Sequence, residues 1–168
     1  MNQYIETENQ YYMGTVRRQP VVIERGQGSR VWDTDGKEYL DFTAGWAVDC
    51  LGHCPPVMVQ AIAEQASTLI QTSNQFYTLP QLKLVQILVE NSTLDKVFLC
   101  NSGAEANEGA IKLARKYGRE NRNGAVEIIT ALDSFHGRTL GSLAATGNPH
   151  YQANYQPLMT GFVHVPYG

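Results

Sequence analysis

One junction constrains this chain more than any other. The apolar run Val97-Phe98-Leu99-Cys100 stops at Asn101-Ser102-Gly103-Ala104, and helix-forming sequence begins at once with Glu105-Ala106-Asn107-Glu108. A strand that hands over to a helix without a linker predicts an α/β layer, with the turn at the carboxyl end of the strand. Ser102 and Glu105 stand at capping-box spacing, so the hydroxyl accepts a backbone N–H while the carboxylate reaches back. Gly103 carries no Cβ to keep a ligand from the backbone. The first turn of such a helix presents unpaired N–H groups and a partial positive charge, which suits a phosphate or another anion.

The flanking sequence repeats the alternation of strands and helices. Residues Val21 to Phe42 read as short antiparallel strands, with turns at Gly26-Gln27-Gly28 and Asp35-Gly36. Pro56 opens a helix to about Ile70, with Met58, Ala61, Ile62 and Leu69 on one face. Thr78 and Gln81 repeat the capping-box spacing around Pro80, before a seam of Leu84, Val85, Leu88 and Val89. Val97–Cys100 is expected to be a strand covered on both faces. Ala106, Ala110, Leu113, Ala114 and Tyr117 form the expected buried stripe of the next helix, which Gly118 or Gly124 closes. Val126–Leu132 and Phe162–Val165 are the next strands, so the sheet is predicted to be mostly parallel. The turn Ser134-Phe135-His136-Gly137-Arg138 would then reach the same crevice as the Ser102 turn.

Composition excludes several function classes. At 168 residues and net charge −3, with no basic run, the chain is a poor match for nucleic acid or an anionic membrane. No apolar run approaches a membrane span, and the start lacks the layout of a leader, so a cytoplasmic location is expected. Cys50, Cys54 and Cys100 are odd in number and scattered, which favours reduced, buried thiols over a disulfide framework or a metal site.

Three segments together resemble the class III aminotransferases, which use pyridoxal 5'-phosphate (PLP). They are Leu51-Gly52-His53-Cys54, the run Asn101 to Arg115, and Phe135-His136-Gly137-Arg138-Thr139. The resemblance begins near Gly14 and covers nearly all that follows. It implies the fold type I (aspartate aminotransferase-like) PLP-transferase fold: an incomplete, mostly parallel sheet with helices on both faces, after a small N-terminal α+β segment. Residues 1–50 would contribute to the small domain and 51–168 would form the first part of the large PLP-binding domain. Carried over position by position, the backbone of Ser102, Gly103 and Ala104 binds the cofactor phosphate. Phe135 stacks on the pyridine ring, with His136 a minor contributor that shapes the turn. Arg138 grips the substrate α-carboxylate. A flat ring suits an aromatic face, and a carboxylate suits a guanidinium fork. Trp46 falls where the family lines the substrate mouth, and Asn74 to Tyr77 resembles its segment at the interface of a homodimer. Glu108 reads as a first-turn acid rather than a catalytic group. Two positions depart from the pattern: Pro55 stands where the family commonly has His, and Asp49 where Asn is common.

The resemblance implies amino-group transfer between an amino acid and a 2-oxo acid. The wording of Asn101–Arg115 tilts the expected pair to N-acetylornithine and 2-oxoglutarate, in arginine biosynthesis. Ornithine, succinylornithine and 4-aminobutyrate are alternative donors. The family's Schiff-base lysine and its pyridine-nitrogen acid lie downstream of the Phe-His-Gly-Arg motif. Lys37, Lys83, Lys96, Lys112 and Lys116 do not sit in that context. The chain therefore reads as an N-terminal fragment without a catalytic residue of its own, inactive alone. A short non-catalytic chain that binds a phosphorylated ligand, or complements a partner, is the reading from another class.

Overall fold

Two turns build the first sheet. The computed structural model describes residues 3–168, and helix α1 (Gln3–Tyr11) precedes the sheet. Strands β1 (Ile23–Gln27), β2 (Arg30–Asp33) and β3 (Glu38–Leu40) pair antiparallel in the order β1-β2-β3. The β1–β2 turn passes through Gly28 at φ +56°. In the β2–β3 turn the Asp33 carboxylate accepts from Asp35 N–H at 3.0 Å, Lys37 N–H at 2.8 Å and the Tyr39 hydroxyl at 2.7 Å. Of Asp35-Gly36, only Gly36 takes positive φ, at +80°. Arg25 lies over the Trp32 ring, 3.8 Å from its centroid, and Arg30 pairs with Glu38.

The Tyr39 hydroxyl, foremost among these donors, holds Asp33 below the usual carboxylate range, and Asp33 in turn raises Tyr39. The lowered Asp33 stabilises the folded state above about pH 4, and this is lost as pH falls through the depressed value. The raised Tyr39 stabilises it below about pH 10, and this is lost as pH rises through the elevated value. Tyr39→Phe is expected to flatten both limbs of a plot of unfolding midpoint against pH. Unchanged limbs would refute the pairing.

After β3 the chain makes an unusual turn. Ala44, Gly45, Trp46 and Ala47 (α2) all take left-handed φ, from +46° to +64°. Each non-glycine residue there costs roughly 1–2 kcal/mol. Helix α3 (Pro56–Thr68) follows, with Pro at its first position as expected. The compact units of the chain divide between Phe76 and Tyr77.

In the second unit, α4 (Leu79–Glu90) starts at Thr78, but the Thr78 side chain makes no cap bond, so the capping box expected there does not form. None of its residues is buried; of the predicted seam, Leu84 and Leu88 are exposed and Val85 and Val89 only half-buried. Val97–Cys100 is likewise not a strand: no described segment runs beside it to form a ladder. Phe98 instead packs its ring edge on Gly109.

Helix α5 (Gly103–Asn121) buries Ile111 and Gly118, while Leu113 and Tyr117 of the predicted stripe are exposed. Gly118 does not end the helix. A Cβ there would lie 1.9 Å from the Ala125 carbonyl oxygen, so its role is close backbone approach. Gly124, at φ +82°, lies in the turn beyond. Strands β4 (Ile128–Ala131) and β5 (Phe162–Val165) pair in parallel, as predicted, with Thr130 Oγ1 2.8 Å from His164 Nδ1. Arg115 ties α5 to the approach to β5, donating to Thr160 O at 2.6 Å and lying over Phe162.

The core of this unit is α6 (Leu140–Ala145), whose Leu143, Ala144 and Ala145 are buried. Ser142 and Thr146 are fully buried beside them and fully bonded: Thr146 Oγ1 donates to Ser142 O at 3.0 Å. The short helix α7 (Pro149–Gln152) returns Gln152 Nε2 to Thr146 O at 2.7 Å. Cys50, Cys54 and Cys100 are free but exposed, not buried as expected. Among the described residues no helix is long and apolar enough to cross a membrane.

Candidate functional site

The start of α5 carries the first part of the site. Ser102 Oγ accepts from Glu105 N–H at 3.2 Å. The Glu105 carboxylate reaches one residue further back than a capping box requires. It accepts from Asn101 N–H at 2.8 Å, from the Ser102 hydroxyl at 3.1 Å and from Asn101 Nδ2 at 3.2 Å. These donors, the Asn101 side chain first, hold Glu105 below its ordinary pKa. Because Asn101 takes the carboxylate, the N–H groups of Ser102, Gly103 and Ala104 have no acceptor among the described residues. A Cβ built on Gly103 would meet nothing within 4 Å. The result is a run of free backbone donors, at a positive helix end, in front of open space.

The second part is the loop after β4, and α5 fixes it directly. Asn107 Nδ2 donates to His136 O at 2.6 Å, and His136 N–H donates to Thr146 Oγ1 at 3.0 Å. The His136 backbone thus shapes the turn; its ring makes only a 3.4 Å contact with Ser134 Oγ. Gly137 is buried at φ +132°, where a Cβ would stand 2.6 Å from Ser142 Oγ and 2.9 Å from Ala104 Cβ. Only glycine fits that conformation and that space. The two predicted turns are therefore in contact, Gly137 lying against Ala104.

Glu108 takes part in the same junction. It accepts from Ser142 N–H at 3.0 Å and from the Thr139 hydroxyl, so it caps the neighbouring α6 rather than its own helix. Thr139 and Ser142 complete a capping box there. The spacing of Thr139 and Ser142 was a readable signal; nothing in the sequence marked Asn107 or the reach of Glu108.

Of the side chains singled out in this turn, Phe135 and Arg138 are exposed and His136 is half-buried. Phe135 is 60% exposed and touches Tyr151 edge-on, with ring centroids 6.4 Å apart, which leaves a face open. Arg138 is exposed and has no carboxylate or hydrogen-bond partner among the described residues. A cavity of about 240 Å³ is lined mainly by apolar groups such as Ile111, Ile129 and Phe162, together with Asn107, Thr130 and His136. In the other unit, Trp46 is 92% exposed on its left-handed turn. Asn74–Tyr77 is a loop with exposed Phe76 and Tyr77 rings.

The model of the aminotransferase class-III family matches residues 11–168. An acetylornithine aminotransferase from Methanocaldococcus jannaschii is 54% identical over 98% of this chain and 42% of its own length. Among solved structures, an ornithine aminotransferase from Toxoplasma gondii, with partial occupancy of PLP at its active site, superimposes with a TM-score of 0.93. It is 32% identical over 98% of this chain and 39% of its own. An acetylornithine aminotransferase from Elizabethkingia anophelis gives 0.77 at 34% identity, over 98% and 37%. The chain spans about two-fifths of the length of these relatives. These neighbours share the fold type I architecture predicted from the sequence.

Proposed function

Because the chain belongs to the class III aminotransferases, a PLP-using family, we propose that it supplies the phosphate cup and the substrate arginine of an acetylornithine-type transaminase. The overall reaction is amino-group transfer from N-acetylornithine to 2-oxoglutarate. The observation that carries this reading is the contact between two anion-ready elements: the unpaired N–H groups of Ser102, Gly103 and Ala104, and the turn that presents unpartnered Arg138. The amino donor is assigned from the relative 54% identical, which is an acetylornithine aminotransferase.

The residues fit the cofactor. Open space in front of Gly103 admits a phosphate to the backbone, and the helix end favours its charge. The Ser102 hydroxyl is engaged with Glu105, so the cup is built from main chain. Phe135 offers an open face to the pyridine ring, and the His136 backbone holds the turn that carries it. Bound PLP would supply an electron-poor ring that acidifies the C–H bond beside the transferred amine. Arg138 would hold the substrate α-carboxylate through its planar fork and so position the donor's free amine at the cofactor. Trp46 lines the substrate mouth. In this reading residues 1–50 belong to the small domain and 51–168 open the large one, and Asn74–Tyr77 approaches the second subunit of a homodimer.

The test is a PLP titration of the chain, followed by absorbance. Gly103→Ala places a methyl in the space in front of the cup, and is expected to weaken PLP about tenfold, the equivalent of ~1.4 kcal/mol. Free phosphate should compete. Equal affinity in the folded variant would remove the cup from the proposal.

A further inference from the structure

His53 is held more firmly than its place in a loop requires. Its N–H donates to Gly28 O at 2.8 Å, and its carbonyl accepts from Gly28 N–H at 3.0 Å. Its ring lies on Gly26, where a Cβ would be 2.6 Å from Cγ. The imidazole is therefore a fixed post beside the first sheet. Nε2 meets Asp41 Oδ2 at 2.8 Å, and Nδ1 faces Asp49 Oδ2 at 3.6 Å.

Those two carboxylates stand at opposite ends of the left-handed turn. Asp41 Oδ1 accepts from Thr43 N–H and from Ala44 N–H, each at 2.9 Å, at its entry. Asp49 N–H donates to Ala44 O at 3.0 Å at its exit. The turn contains three non-glycine residues in a conformation L-amino acids disfavour, and its tip exposes Trp46. Strain of this kind persists only where surrounding contacts over-determine it. A small cavity lined by Gly28, Asp41, Asp49, Cys50 and His53 lies inside the loop, and its groups do not form a metal-ligand cluster among the described residues.

The geometry points to His53 as a positioning residue: bonded to Asp41 at the entry of the turn Ala44–Ala47 and standing beside Asp49 at its exit, it steadies the turn and fixes the direction in which Trp46 is presented. Its importance for catalysis rests on the reading that Trp46 lines the substrate mouth; its structural action does not.

Two measurements separate these levels. The first is time-resolved fluorescence anisotropy of Trp46 in a Trp32→Phe background, with circular dichroism to confirm folding. His53→Ala is expected to add a nanosecond component of at least twice the wild-type amplitude. His53→Gln, which can still reach Asp41, should restore most of the loss, and Asp49→Asn should reproduce part of it. Unchanged anisotropy in folded His53→Ala would overturn the proposal. The second is steady-state kinetics of a full-length PLP-loaded aminotransferase that contains this chain. His53→Ala is expected to raise KM for the amino-acid substrate about fivefold with PLP affinity unchanged. A mobile Trp46 with an unchanged KM would leave the fastening in place and overturn the substrate-mouth reading of Trp46.

Discussion

Arg138→Gln in a full-length PLP-loaded aminotransferase that contains this chain is expected to lower kcat/KM for the amino-acid substrate roughly a hundredfold, from loss of about 3 kcal/mol of charge-assisted hydrogen bonding. Gln keeps a donor but loses the charge and the fork. Arg138 makes no internal ion pair among the described residues, so its removal strands no buried charge and leaves the fold intact. The loss should fall mainly on KM, because a carboxylate is held alike in the ground state and the transition state. Lysine should recover only part, as it restores charge without the planar geometry. PLP affinity should not move. A change in kcat/KM below twofold would mean that the carboxylate binds elsewhere.

Gly118→Ala is expected to be strongly destabilising. The added carbon would lie 1.9 Å from the Ala125 carbonyl oxygen, and that neighbour is main chain rather than a yielding side-chain tip. Relief requires the helix end to part from the turn that feeds β4. Overpacking of this kind costs about 3 kcal/mol, on the order of a 10 °C fall in Tm for a chain of this size. Gly103→Ala is the matched control on the same helix. Its methyl meets open space, and alanine is the better helix former, so Tm should hold or rise slightly. A Gly118→Ala protein that melts with the wild type would show that the α5–Ala125 approach is looser than it looks.

The contrast between those glycines also measures what a sequence discloses. Gly118 read as a helix stop because glycine commonly ends helices. Whether it stops a helix or admits a backbone depends on Ala125, a partner that no local pattern identifies. The Ser102 turn, the Asp35-Gly36 hairpin and the parallel pair β4–β5 were legible because turn chemistry and apolar runs act over a few residues. The stripe on α5 and the seam on α4 were misjudged because periodicity names an apolar face but not what covers it. Val97–Cys100 failed as a strand for the same reason, since a strand exists only through its neighbour. At the candidate site, one motif names Phe135, His136 and Arg138, and the contact of their turn with the Ser102 turn agrees with the crevice expected from the strand order. The Asn107–His136 tie and the Glu108 cap were not legible, because each joins residues some thirty positions apart.

The parallel register of β4 with β5 has a consequence for how this unit acquires its structure. Ile128 meets Phe162 and Ala131 meets Val165, so every rung closes the same long loop. The entropy of that closure must be met before any rung forms. The capping box of α6 and the hydroxyl bond from Thr146 to the Ser142 carbonyl span only a few residues and carry no such delay. The pairing of β4 with β5 is therefore expected to be slower than the local contacts of α6. Until it occurs, Ile128–Ala131 is an unpaired apolar edge, and that interval is when a second unfolded chain competes best for it. The folding yield of this unit should accordingly be set by chain concentration during that one step.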